Sequence, residues 1–250
     1  MEPFLRFLES EKGRMKRLVI LGDLFEFLFG FRASLWGRGS SWTEKTAAFS
    51  HYHPVLGKIR ELWQQGTGIT YFEGNHDFSL RSFFAGQLEM EAEVHAGGYD
   101  GVLGGKRAFM AHGDLANPEQ WRYGAYRKLL RSPLVYGLMN LAGPGLSRRV
   151  ARWMDRRSSQ KYHAGIAGDP PLAFRAFAHQ KFLEGFEIVI LAHSHFPEKT
   201  EEWIGGKKCQ YFNVGDWMIH RSYLRFIPPG DFELSRYDET EPRTSNSEVK

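Results

Sequence analysis

Ile188-Val189-Ile190-Leu191-Ala192-His193-Ser194-His195 is the stretch on which the reading of the chain turns. Four aliphatic residues in a row fit a strand buried on both faces, and this one delivers two imidazoles at its carboxyl end. A core rarely takes two neighbouring imidazoles without partners, whereas imidazole is the commonest metal ligand among side chains. The same plan occurs three times upstream. Residues 17–21 run into Gly22-Asp23, residues 69–72 into Glu73-Gly74-Asn75-His76-Asp77, and residues 108–111 into His112-Gly113-Asp114. Four strands are thus expected to end in ligand-type side chains. Residues 44–65 and 172–183 read as helices between strands, which predicts an α/β layered fold. Residues 199–204 and 207–214 flank Gly205-Gly206 as a hairpin.

Asp, Asn and His together suit a hard or borderline divalent cation such as manganese, iron or zinc. Two such ions about 3.5–4 Å apart clamp a phosphoryl group and activate water for in-line attack. A bridging carboxylate is then required, and Asp23 is the best candidate. Asn75 offers a neutral oxygen, while His112, His193 and His195 offer nitrogens. His76 is left for the charge developing on phosphate or on the leaving group. Taken singly the motifs are weak: Gly-Asp after a strand is an ordinary turn, and Gly-Asn-His-Asp fits an Asx turn. Their joint occurrence in this order is the signal.

The 250 residues, 42% hydrophobic and 15% aromatic, are enough for one large domain with an inserted or appended cap. One cysteine, Cys209, excludes an internal disulfide framework and a Cys-built zinc ribbon, which points to a reducing, cytoplasmic setting. Residues 1–12 mix charges with Phe and Leu, as an amphipathic helix does and a secretion signal does not. The longest apolar stretch, residues 133–146, is broken by Gly137, Asn140, Gly143, Pro144 and Gly145 and is too short to span a bilayer. From Pro228 onward the chain is polar and poor in aliphatics, which predicts a mobile tail.

Charge is unevenly spread. Residues 121–161 hold ten Arg or Lys against one acid, Asp155, giving +9 and leaving about −5 for the rest of a chain whose net charge is +4. Such asymmetry calls for an anionic partner at the basic segment: nucleic acid, acidic lipid headgroups or a diphosphate. Within it Leu146, Val150, Trp153 and Met154 recur at helical spacing, with Arg148, Arg149, Arg152 and Arg156 on the other faces. That pattern fits an ordinary core-facing helix with a solvated basic side as well as an anion-binding face.

The four motifs resemble the second to last motifs of the calcineurin-like metallophosphoesterases. The usual Gly-His-x-His appears here as Ala192-His193-Ser194-His195, which spares the ligands. The resemblance implies an α/β fold, a four-layer αββα sandwich of two sheets flanked by helices with a helical cap. It also implies two divalent ions, with manganese the expected metal: Asp23 bridges them, Asn75, His112 and His193 complete one seat, and His195 belongs to the other. Within that superfamily the chain is most similar to the UDP-2,3-diacylglucosamine hydrolases of lipid A synthesis, through Ile20-Leu21-Gly22-Asp23-Leu24-Phe25-Glu26-Phe27, His112-Gly113-Asp114-Leu115, Tyr123 and the basic cap. Those enzymes split a pyrophosphate to release UMP and a diacylglucosamine 1-phosphate, and their best-known members have Arg where this chain has His76.

The expected layout is a core of residues 1–120 and 165–227, a cap of residues 121–164 and a tail of residues 228–250. Tyr123, Arg157, Ser158 and Lys161 are the candidate substrate contacts of the cap; each also fits a solvated helix position. The expected partners are a nucleotide-linked glycolipid and the cytoplasmic face of the inner membrane, with no nucleic acid. The family begins with a strand ending in Asp-x-His that completes the seat of His195, and no Asp-x-His occurs in this sequence. That predicts a chain begun after its first strand, with one seat incomplete. The rival expectations are a phosphodiesterase of soluble nucleotides and a non-catalytic module of the same fold.

Overall fold

The structure is a computed structural model that describes residues 1–163 and 170–238, without the side chains of residues 120, 148, 150–163, 170 and 171. The chain opens with α1 (Glu2–Ser10), β1 (Arg17–Ile20), β2 (Leu28–Phe29), α2 (Ala33–Trp36), α3 (Trp42–Lys45), a 3-10 turn (Ala47–Tyr52) and α4 (His53–Gln64). It continues through β3 (Gly68–Phe72), β4 (Asp77–Phe78), α5 (Arg81–Gly86), β5 (Glu93–His95), β6 (Tyr99–Leu103) and β7 (Lys106–Met110). A second 3-10 turn (Pro118–Gln120) leads to α6 (Trp121–Leu130), α7 (Pro133–His163) and α8 (Pro170–Leu183). Then follow β8 (Ile188–Leu191), β9 (Pro197–Ile204), β10 (Lys207–Val214), β11 (Ser222–Ile227) and β12 (Asp231–Arg236).

The four aliphatic runs are all strands, and they pair two by two. Parallel β1 and β3 lie together in a three-stranded sheet of order β1-β3-β5, with Ile20 opposite Tyr71. Parallel β7 and β8 are neighbours in a five-stranded sheet of order β6-β7-β8-β10-β9, with Met110 opposite Ile190. Parallel pairing brings the carboxyl ends of both partners to the same edge, so each sheet presents two motif-bearing loops side by side. The expected hairpin is present, with β9 and β10 paired from Ile204↔Lys207 to Pro197↔Val214.

Three apolar clusters hold these elements. Phe4, Phe7 and Leu8 of α1 and Leu56, Ile59 and Leu62 of α4 bury against Leu18, Ile20, Ile69 and Tyr71 on one face of the smaller sheet. Phe174, Ala178 and Phe182 of α8 pack on Val189, Leu191 and Tyr211 of the larger sheet. A third cluster joins Leu21 and Phe72 to Ala108, Met110, Ile188, Ile190 and Phe212, residues from the two different sheets.

Two expectations are corrected. The helix expected over residues 44–65 is split, since α4 begins only at His53, with Pro54 in its first turn. Proline disfavours a helical residue before it but suits the start of a helix. The tail expected from Pro228 starts instead with a strand, because β12 pairs antiparallel with β11, Leu224 opposite Leu234 and Phe226 opposite Phe232. Leu224, Phe232 and Leu234 pack against the cluster between the sheets. The alternating apolar residues of Asp231–Arg236 are a strand signal that the surrounding charges obscure. Residues 239–250 lie outside the described residues.

Helices α6 and α7 occupy the segment expected to be a cap. Tyr136 and Met139 on one side of α7 pack against the core, and Asn140 accepts the Arg32 amide at 2.7 Å. Gly143, at φ 77°, kinks α7 ahead of Pro144. Among the described residues no helix is long and apolar enough to cross a membrane.

Candidate metal centre

The loops after β1, β7 and β8 turn through left-handed backbone, Gly113 at φ 109° among them. Gly22 has φ 81° and Asp23 φ 53°, while His193 and His195 sit at φ 66° and 62°. A left-handed backbone at a non-glycine residue costs about 1–3 kcal/mol and is held only where surrounding contacts fix it. The fixing contacts are visible. Asp77, fully buried, accepts the Asp23 amide at 3.1 Å, the Leu24 amide at 3.0 Å, the Gly74 amide at 2.8 Å and the Tyr71 hydroxyl at 2.5 Å. Asp23 in turn accepts the His76 amide at 2.9 Å. Glycine is required where the two loops touch: a Cβ on Gly74 would stand 2.1 Å from Asp23 Oδ1, and one on Gly22 would stand 2.7 Å from His112 Nδ1.

On this frame the ligand-type side chains converge. Asp23, His112 and His193 each bring a ligand atom within 4.8 Å of the others. His112 Nε2 lies 3.2 Å from Asp23 Oδ2, 3.2 Å from Asn75 Oδ1 and 2.9 Å from His193 Nδ1. His112 Nδ1 is 2.6 Å from the Leu21 carbonyl. A carbonyl only accepts, so Nδ1 carries the proton and Nε2 of the neutral ring presents a lone pair. That lone pair faces an oxygen of Asp23, an oxygen of Asn75 and a ring nitrogen. Acceptors gathered on one point repel unless a cation, or a proton, sits among them.

The electrostatics say the same. Burial works against a charge on His112, yet Asp23 beside it pushes its pKa up to about 9. Burial opposes ionisation of Asp23 too, but His112 and His76 hold its carboxyl well below the usual carboxylate range. His193, half-buried, is depressed to about 4 by desolvation and by the neighbouring His112. Asp77 moves the other way, raised by burial and by Asp23. A carboxylate, an amide oxygen and two imidazoles fit a divalent transition ion, and the polarity of the site favours positive charge.

The remaining candidates fall in different places. His195 is exposed and outside the cluster. His76 is half-buried, its Nδ1 donating to the Glu26 carbonyl at 3.1 Å. Tyr123 donates its hydroxyl to Asp114 Oδ2 at 2.8 Å and thereby ties α6 to the loop after β7. The side chains of Arg157, Ser158 and Lys161 lie outside the described residues.

Sequence reasoning passed over two arginines. Arg131 binds Glu73 at 2.8 Å and the Gly74 carbonyl at 2.8 Å, and Arg127 stands 2.6 Å from Asp114 in an ion pair too bent for a hydrogen bond. With Tyr123 they recur every four residues, a spacing that places all three on one helix face. That spacing was the available signal.

Comparison with known proteins agrees with the motifs. No protein-family profile matches the chain. It is similar to the UDP-2,3-diacylglucosamine hydrolase of Aromatoleum aromaticum, 26% identical over 237 residues, covering 91% of this chain and 86% of that one. The enzyme of the same name from Xanthomonas axonopodis pv. citri is 27% identical over 92% of this chain and 89% of its own. That of Coxiella burnetii is 26% identical over 94% and 89%. A solution NMR structure of a Thermotoga maritima protein covers 73% of this chain and 74% of its own at 14% identity, with a TM-score of 0.32, a likeness too slight to bear on the fold. The chain is thus similar, along nearly its whole length, to hydrolases of one name.

Proposed function

We propose that the protein is a metal-dependent hydrolase cleaving the pyrophosphate bond of UDP-2,3-diacylglucosamine to UMP and 2,3-diacylglucosamine 1-phosphate. The observation that carries the reading is the convergence of Asp23, His112 and His193 on one point, with Asn75 beside them, at the strand ends of two different sheets. The names of relatives aligned over about nine-tenths of the chain supply the substrate. We also read the three apolar clusters as the joints of a four-layer αββα sandwich, α1 and α4 outside one sheet and α8 outside the other.

Asp23, Asn75, His112 and His193 hold a divalent ion, manganese being the first choice. Bound there, the ion supplies Lewis acidity toward a phosphoryl oxygen and toward water. The chain's own part is positional. The Nδ1–H bond to the Leu21 carbonyl orients the His112 ring with Nε2 toward the other ligands. The bond from His76 Nδ1 to the Glu26 carbonyl leaves Nε2 to steady a phosphoryl oxygen or the leaving group. Asp23 and His195 begin a second seat, whose remaining ligands in the resembling family come from an Asp-x-His tripeptide that this sequence lacks.

The cap suits a lipid substrate taken from the cytoplasmic face of a membrane. On the side of α7 away from the core, Leu134, Leu138 and Leu141 are 70%, 56% and 83% exposed, at helical spacing, within the segment of charge +9. An apolar stripe amid cationic charge is the pattern of a helix lying in an anionic lipid interface. The test is release of UMP from UDP-2,3-diacylglucosamine in mixed micelles with Mn2+. Turnover of a soluble phosphodiester with none of the glycolipid would replace this reading with that of a nucleotide phosphodiesterase. No turnover of either would leave a non-catalytic module.

A further inference from the structure

The loop that carries Asn75 is gripped from two sides. From within, Asp77 holds the Gly74 amide. From outside, a residue of the cap holds the carbonyl of the same glycine: Arg131 Nη2 donates to Gly74 O at 2.8 Å, while its Nη1 donates to Glu73 Oε2 at 2.8 Å and to Ala96 O at 2.9 Å. The Gly74 carbonyl belongs to the peptide group that ends in the Asn75 nitrogen. Fixing that peptide plane fixes the direction in which Asn75 leaves the backbone, and its Oδ1 stands 3.2 Å from His112 Nε2.

Glu73 is equally committed. Its side chain is 5% exposed, and its other oxygen accepts the Leu80 amide at 2.7 Å, while its own amide donates to the His95 carbonyl at 2.8 Å. The carboxylate therefore depends on Arg131 for charge compensation, and removing the guanidinium would leave it buried without a counter-ion. One helical turn earlier Arg127 donates to the same Ala96 carbonyl at 2.9 Å and pairs with Asp114. Another turn earlier Tyr123 reaches Asp114 as well. Asp114 follows His112 by two residues. One face of α6 and its last turn thus clasps both the Asn75 loop and the His112 loop.

We propose that Arg131 is a positioning residue for Asn75, through which the seating of the cap sets the affinity of the metal centre. By linkage the coupling runs both ways: whatever displaces the cap weakens the ion, and the ion tightens the cap. The metal half of this inference rests on the proposed function; the clasp itself does not.

The test has two arms. In metal-free protein, hydrogen–deuterium exchange of the Gly74 and His76 amides, which are bonded to Asp77 and Asp23, is compared between wild type and Arg131→Gln. Exchange at least tenfold faster in the variant is expected, with exchange in β8 unchanged. In the second arm Mn2+ alone is titrated, and affinity is expected to fall by about 10- to 100-fold, the usual effect of losing a group that orients a ligand. Arg122→Gln, which removes the same charge from another face of α6, is expected to alter neither readout. Arg131→Lys keeps the charge but not the planar fork that spans three acceptors, so it is expected to restore little; should the Gln variant fail to fold, both arms are run on the Lys variant. Unchanged exchange overturns the clasp. Faster exchange with unchanged Mn2+ affinity overturns the positioning role. Absence of Mn2+ binding in wild type overturns the metal reading instead, and the exchange arm still decides the clasp.

Discussion

Asp77 Oδ1 accepts the backbone amide of Asp23 at 3.1 Å, so a carboxylate in one strand-end loop shapes the other loop, 54 residues away in sequence. Its two oxygens take four donors in all. Asp77→Ala leaves those donors without their acceptor inside the protein, at about 1–3 kcal/mol for each one left buried and unsatisfied. Relaxation and water will recover part of this. The expected loss is about 3 kcal/mol or more in urea denaturation, with metal binding lost as the Asp23 turn relaxes. A variant within 1 kcal/mol of wild type would show that the two loops hold their shape without Asp77.

Asp23→Ala is expected to act differently, removing function while sparing the fold. The carboxylate is the only anionic ligand in the cluster Asp23, His112, His193, and its removal takes an acceptor from the His76 amide and the ionic partner from the His112 ring. Mn2+ binding should disappear in a titration, and UMP release should fall by at least about 1,000-fold, the scale of losing direct electrostatic stabilisation. Wild-type metal content in this variant would mean that another set of residues holds the ion.

Metal should also be visible as stability. A ligand that binds only the native state at a concentration one hundred times its Kd adds about 2.7 kcal/mol. In a chain of this size that raises Tm by about 5–10 °C. The rise is expected for wild type with Mn2+, is reversed by EDTA, and is absent in Asp23→Ala. Equilibrium dialysis is expected to find one tightly bound ion per chain, since a single ligand cluster exists among the described residues; two tight ions would require ligands outside it.

The sequence disclosed the site because each ligand follows a short run that is aliphatic or aromatic, Thr70 being its one polar member after Arg17. Ile188–Leu191 is buried at all four positions, so its apolar pattern is continuous and its end is marked by His193. The strands that escaped notice lack that continuity. Tyr99–Leu103 carries Asp100 and Gly101 and alternates between half-buried and exposed positions. Asp231–Arg236 mixes four polar residues with Phe232 and Leu234, and only its pairing with Ser222–Ile227 makes it a strand. Charge was legible as a sum but not as geometry. Arg127 and Arg131 count toward the +9 of residues 121–161, yet both face inward to Asp114 and Glu73, and only a folded chain brings residues 73 and 131 together. Tyr123 was legible as a candidate substrate contact, but its bond to Asp114, nine residues away, was not, for the same reason.

Among the described residues, Arg127 and Arg131 of the ten cations of residues 121–161 are therefore paired internally, and attraction to a membrane is expected from others together with the apolar stripe. Leu134, Leu138 and Leu141 are mostly exposed, so replacing all three with Ser should lower Tm by no more than about 6 °C, each surface substitution being worth about 0.5 kcal/mol or less. Against vesicles the same change removes three side chains, each worth about 1.5–3 kcal/mol if fully buried, and partial insertion delivers a fraction of that. Binding to phosphatidylglycerol vesicles in a sedimentation assay is expected to fall at least tenfold. The electrostatic share is separable, because basic residues near an anionic surface contribute about 1 kcal/mol each and are screened over about 10 Å at 0.1 M salt. Raising salt should therefore weaken wild type and the triple variant alike, while neutral phosphatidylcholine vesicles should bind wild type poorly at any salt. Equal binding of wild type and triple variant would assign the contact to the basic residues alone. Binding by neither would leave the stripe exposed for some purpose other than a bilayer.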